Sequence, residues 1–171
     1  NQLSVFPPEL AKMTNLRELS LDWNALAELP PSIGNLVSLE QLELDGNRLQ
    51  ALPPEIGNLK ALVLLTLWDN RLEKLPPEIG NLQHLESLNL PDNRLTDVPD
   101  EMSHLVNLKY LGLKGNRLSP KVQAKLRKLL PHTKIDFEHQ VSAVEWENAS
   151  SILSKTLAPG KPLDGRRKDA N

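Results

Sequence analysis

The chain has 171 residues, 39% of them apolar and 25% charged, with no cysteine, a composition that belongs to soluble globular proteins and not to disordered or fibrous ones. Its length allows one ordinary domain or a short repeat array; no apolar run reaches the roughly 18 residues of a membrane span, and the lack of cysteine excludes disulfides, thiolate metal sites and cysteine nucleophiles. The net charge of −2 is unevenly spread: residues 1–118 carry 10 Lys+Arg against 16 Asp+Glu, net −6, and residues 119–171 carry 10 against 6, net +4.

Residues 1–10 lack the basic and apolar regions of a signal peptide. The first fifteen residues read as the second half of a unit that recurs downstream, with Leu3, Phe6, Pro7, Leu10 and Met13 in the places later held by Leu49, Leu52, Pro53, Ile56 and Leu59. An array that begins mid-unit is expected to expose the apolar edge formed by Leu3, Phe6, Leu10 and Met13, and weak self-association through that edge is expected with it.

Four full units follow, at 16–38, 39–61, 62–84 and 85–107, and a fifth starts at Leu108. Stepping by 23 residues from Asn70 reaches Asn1, Asn24, Asn47, Asn93 and Asn116 without insertion or deletion, and a fixed period of this size is the signature of a solenoid. Alternation such as Leu65-Thr66-Leu67 predicts one short strand per unit, leucines inward, and the strands stack into a single parallel sheet. Each asparagine stands where the chain leaves its strand. There its amide can satisfy inward-facing backbone groups, so Asn24, Asn47, Asn70, Asn93 and Asn116 read as a buried structural ladder, worth about 1–3 kcal/mol per site. The pairs Pro30-Pro31, Pro53-Pro54 and Pro76-Pro77 fix φ and remove donors, so the opposite side is expected to be extended or 3₁₀ and not α-helical. Gly34, Gly57 and Gly80 are expected to permit the turn that follows.

The pattern LxxLxLxxNxL, present as LVLLTLWDNRL at Leu62–Leu72, followed by LPPEIGNL at Leu75–Leu82, resembles the leucine-rich repeat, in its Ras-suppressor-like and bacterial 23-residue class. The resemblance covers roughly residues 1–118. It implies an α/β solenoid, a right-handed superhelix with a concave parallel β-sheet, a Pro-rich convex side and a helical C-terminal cap. It also implies a protein-interaction module that binds through the concave face. Extracellular members usually carry cysteine-stapled caps, so a chain without cysteine is expected to work in the cytoplasm, the alternative being a secreted bacterial effector acting in a host cytosol.

After Leu118 the period changes. Ser119 reads as an N-cap and Pro120 as the first helical residue, Val122, Leu126, Leu129 and Leu130 recur at helical spacing, and Lys134–Phe137 alternates again. NRLSPKVQAKLRKLLPHTKIDF resembles the C-terminal cap of bacterial repeat proteins, so residues 119–137 are assigned to a cap. Residues 138–171 are assigned to a flanking helix, at 142–157, and a disordered basic tail.

The outward strand positions carry the functional reading. They place an acidic patch early, with Asp22, Glu43 and Asp45. An apolar cluster follows in the middle, where Leu64 and Trp68 share a strand with Thr66; Asn89 and Tyr110 lie on the far side and Trp23 on the near side. Apolar and aromatic groups set toward solvent are binding candidates, because Trp and Tyr dominate interface hot spots. The expected partner is another protein offering a basic and apolar surface. Asp22 and Asp45, on adjacent strands about 4.8 Å apart, have no converging histidine or nucleophile, which argues against catalysis. His84, His104, His132 and His139 fall at unrelated positions and lack metal spacing, so no cofactor or metal is expected. Arg48, Arg71, Arg94 and Arg117 form a column just after the asparagines and are read as ion-paired surface facing Asp69, Asp92, Glu73 and Asp97, with no nucleic acid and no membrane among the partners. The alternative function is the substrate-recognition part of a larger enzyme, such as a bacterial ubiquitin ligase, whose catalytic part lies outside the chain.

Overall fold

A computed structural model describes residues 2–137; the flanking helix and basic tail expected beyond them lie outside the described residues. Six three-residue strands form one sheet: β1 (Glu18–Ser20), β2 (Gln41–Glu43), β3 (Leu64–Thr66), β4 (Ser87–Asn89), β5 (Tyr110–Gly112) and β6 (Lys134–Asp136). They are all parallel and lie in sequence order. From β1 to β5 the register advances by the 23-residue repeat, Glu18 to Gln41 to Leu64 to Ser87 to Tyr110. The last step, Tyr110 to Lys134, takes one residue more because it passes through α1 (Pro120–Leu129). Ser119 caps that helix through its hydroxyl, which accepts the Val122 N–H at 3.3 Å, and Pro120 occupies the first position, where a missing N–H does no harm. Leu126 and Leu130 close the end of the core.

The opposite side is built from short 3₁₀ turns at Pro31–Asn35, Pro54–Asn58, Pro77–Asn81 and Asp100–His104, each entered through a proline in extended conformation. Between these turns and the sheet runs one continuous core of leucines. Leu26, Leu49, Leu72 and Leu95 fill one row, and Leu39, Leu62 and Leu85 another, all fully buried. A leucine buried this way contributes about 1.5–3 kcal/mol, and because the rows run continuously from repeat to repeat, no single unit could bury its own leucines alone.

Two expectations are sharpened here. Gly34 and Gly57 stand in the turns as expected, but neither has a positive φ. The backbone oxygens of Glu55 and Glu78, in the following repeat, lie 2.8 and 2.7 Å from where a Cβ would stand, so glycine is required by the close approach of neighbouring 3₁₀ turns. At the N-terminal edge, Leu3 and Met13 are exposed, but Phe6 is 3% exposed and packs into the core, with Leu10 half-buried against it. Less of that edge is apolar and open than its composition suggests.

A further regularity was not read from the sequence. The residue before every ladder asparagine is left-handed: Trp23, Asp69 and Asp92 at φ 55, 52 and 51°, Gly46 and Gly115 at 63 and 72°. Only glycine takes this conformation without strain, and for a bulky residue such as tryptophan it is a true outlier.

Candidate partner-binding face

The left-handed residue reverses the chain so that the next side chain, the asparagine, turns back under the strand. Asn70 shows what this achieves. Its amide nitrogen donates to the carbonyls of Leu44, Leu67 and Trp68 at 2.9, 3.2 and 3.3 Å, and its oxygen accepts the Leu49 N–H at 3.0 Å. One side chain thus bridges two repeats. Asn47 and Asn93 make the same set of bonds, while Asn24 and Asn116 at the ends of the array make three each.

This framework holds the outward face of the sheet. The acidic patch is real and is partly structural. Asp22 Oδ1 accepts the Asp45 N–H at 2.7 Å, and Asp45 Oδ1 accepts the Trp68 N–H at 2.8 Å, so each aspartate covers an N–H at the end of the next strand. Burial pushes the Asp45 carboxyl up to about 7, helped by the negative charge of Asp22; the bond from the Trp68 N–H offsets part of this. Burial likewise raises Asp22, and burial followed by the Asp22 charge raises Glu43. Among the described residues no ion pair reaches any of the three. They form an uncompensated negative cluster.

Beside it stands an aromatic corner. The Trp23 ring lies over Gly46, where any Cβ would run into it, and meets Trp68 edge to face at 5.6 Å and 90°. The indole N–H of Trp68 donates to Asp92 Oδ2 at 2.8 Å. Trp68 is therefore fixed from both sides, with Trp23 left 47% exposed. Tyr110 and Asn89 lie half-buried toward the C-terminal side, where Gly112 leaves room for the Asn89 amide and the Tyr110 hydroxyl.

The expected apolar cluster is not where the sequence placed it. Leu64 and Thr66 are 3% and 1% exposed, buried on the outward face, and Leu64 does not belong to the leucine core. Strands about 4.8 Å apart bring Gln41, Leu64 and Ser87 side by side, and the middle member of such a row is covered by its neighbours. The open apolar surface is instead Trp23 with part of Trp68. Trp23 was assigned a place beside the columns; the signal for its unusual setting was a tryptophan standing where the other repeats have Gly or Asp. No group of three or more His, Cys, Asp or Glu among the described residues is placed to hold a metal ion. No helix among them is long and apolar enough to cross a membrane.

Family profiles described as "Leucine Rich Repeat" match residues 15–36 and 38–59, and one described as "Leucine rich repeat" matches residues 60–118. The chain is a leucine-rich repeat protein. No curated protein sequence matches it, but solved structures do. A leucine-rich repeat protein of Leptospira interrogans is 39% identical over 80% of this chain and 41% of its own length, with a TM-score of 0.66. The plant peptide hormone receptor RGFR1, solved in complex with RGF2, is 34% identical over 78% of this chain and 22% of its own, TM-score 0.67. The ectodomain of the Arabidopsis thaliana receptor kinase GASSHO1/SCHENGEN3, in complex with CASPARIAN STRIP INTEGRITY FACTOR 2, is 35% identical over 79% of this chain and 17% of its own, TM-score 0.66. The chain spans less than half the length of each of these leucine-rich repeat structures.

Proposed function

We propose that this leucine-rich repeat array binds another protein or peptide through the outward, concave face of its sheet, with the Trp23–Trp68 corner as anchor. The observation that carries this is the corner itself: two tryptophans packed edge to face, one of them nearly half exposed, outside the leucine core and beside uncompensated carboxylates. Rigid, partly exposed aromatics of this kind supply large contact area with little entropy to lose, which is why they dominate binding energies. Asp22, Glu43 and Asp45 favour a partner that brings a basic group to the rim. Two of the structural relatives were solved with bound partners, in keeping with a binding and not a catalytic role. We take residues 1–118 as the array and 119–137 as its cap, and the lack of cysteine favours a reducing compartment such as the cytoplasm.

Affinity capture with the intact chain beside the Trp23→Gly and Trp68→Ala proteins tests the reading. A partner retained by the wild-type chain and lost from both variants, with footprint protection along β2–β4, is the expected result. Equal retention by all three, or protection confined to the Pro-rich turns, overturns it.

A further inference from the structure

The column of arginines just past the asparagines was expected to be ion-paired with neighbouring acids, and among the described residues none of the four forms an ion pair. Arg48, Arg71, Arg94 and Arg117 are all exposed. Ion pairs among the described residues include Arg17–Glu40, Lys109–Glu86, Lys125–Asp97 and Lys125–Asp100, and no arginine of the column takes part in one. Two acids expected to pair with the column are engaged elsewhere. Asp92 is turned toward the tryptophan corner, with Oδ2 accepting the Trp68 indole N–H at 2.8 Å. Asp97 accepts the Val98 N–H at 2.7 Å and the Lys125 ammonium at 3.3 Å. The tryptophan corner and the cap therefore draw away two of the four acids expected to cover the row, while Asp69 and Glu73 stay exposed beside it without forming an ion pair to it.

The backbone of the row is regular. The N–H groups of Arg48, Arg71, Arg94 and Arg117 donate to the carbonyls of Leu26, Leu49, Leu72 and Leu95, in each case at 2.9 Å. Every arginine thus takes the same position relative to the repeat before it. With adjacent repeats about 4.8 Å apart, four guanidinium groups span about 14 Å. Guanidinium groups are planar, always charged and shaped to hold carboxylates in pairs of hydrogen bonds.

We propose that this row is a second interaction surface, on the flank of the solenoid, that binds a short extended peptide with acidic side chains at alternate positions. In an extended chain such carboxylates recur on one side about every 6.7 Å, so three of them cover about 13 Å, which the four arginines match within the reach of their flexible stems. A long polyanion fits less well. The array outside the row is net acidic, 16 Asp+Glu against 10 Lys+Arg over residues 1–118, and a nucleic acid or an anionic membrane would run off the row onto that negative background.

The test is fluorescence anisotropy of a labelled peptide alternating aspartate and serine, titrated with the full chain at low ionic strength. Saturable binding is expected that weakens as salt is added, falls roughly five- to tenfold in the Arg71→Gln/Arg94→Gln protein, and is unchanged by Trp23→Gly. Because Trp23 belongs to the concave-face reading and the arginines do not, the two ideas fail separately. Absence of saturable binding, equal binding by the arginine variant, or tighter binding of an oligothymidine of equal charge would each overturn the proposal.

Discussion

Replacing Asp45 by asparagine should stabilise the fold, and do so more strongly the higher the pH. The asparagine oxygen can still accept the Trp68 N–H now held by Asp45 Oδ1, while the buried charge and its repulsion from Asp22 and Glu43 disappear. Folding raises this carboxyl from 3.8 to about 7. A group raised by folding favours the folded state while it is protonated in that state. The benefit is intact below the unfolded value near 4 and is lost as pH climbs toward 7, where the folded chain must give up its proton. A rise of about three units corresponds to roughly 4 kcal/mol at most, of which about 2–3 kcal/mol falls between pH 5 and pH 8.5. Urea denaturation of both proteins at those two pH values measures it. The wild type should lose stability relative to Asp45→Asn as pH rises, with m unchanged. Parallel curves at both pH values would show that Asp45 is solvated in the folded state and refute the reasoning.

Asn70→Ala should destabilise by about 2–3 kcal/mol, because it leaves the carbonyls of Leu44 and Leu67 and the Leu49 N–H short of a partner, whereas Arg71→Ala, one residue on and exposed, should shift the urea midpoint hardly at all; equal shifts would remove the ladder. Trp23→Gly should change stability by less than about 1 kcal/mol, since the lost edge-to-face contact of about 0.5–1.5 kcal/mol is offset by relief of the left-handed backbone at φ 55°; a large loss would mean the ring is part of the core. Gly46→Ala should do the opposite, destabilising by more than about 1 kcal/mol and shifting the tryptophan fluorescence, because the added methyl enters the Trp23 ring; an unchanged spectrum would contradict the placement of that ring.

The fold was legible because its determinants recur. A 23-residue spacing of leucine, asparagine and proline fixes strand, bridge and 3₁₀ turn in the same order each time, and Ser119-Pro120 marks the change to α1. The site was less legible, for a physical reason. Alternation along a strand says which way a side chain points but not whether its neighbours cover it. Leu64 points outward as expected and is buried all the same, closed in from both sides on a face with narrow strand spacing. The placement of Trp23 was not legible because it depends on an unusual backbone angle and on Gly46 in the next repeat, a neighbour 23 residues away. The arginine column does not form ion pairs among the described residues, in part because pairing depends on where the acids are drawn, and Asp92 and Asp97 are drawn elsewhere.

The same side chains thus serve the framework and the face. Asp45 covers the Trp68 N–H, Asp92 fixes the Trp68 indole, and both are carboxylates that a simple charge map would assign to solvent. A basic group of a partner seated beside Asp45 would favour its ionised form and so remove part of what makes that charge costly to the free protein. Binding and stability are then linked through one proton. Occupying the face with a cation would offset a destabilising charge, so the proposed binding surface would be tuned by the bonds that hold the strands together and not only by the groups a partner touches. On the proposed reading, selection for a tighter array, which would replace Asp45 by a neutral residue, would act against the charge proposed to steer a basic partner to the tryptophan corner.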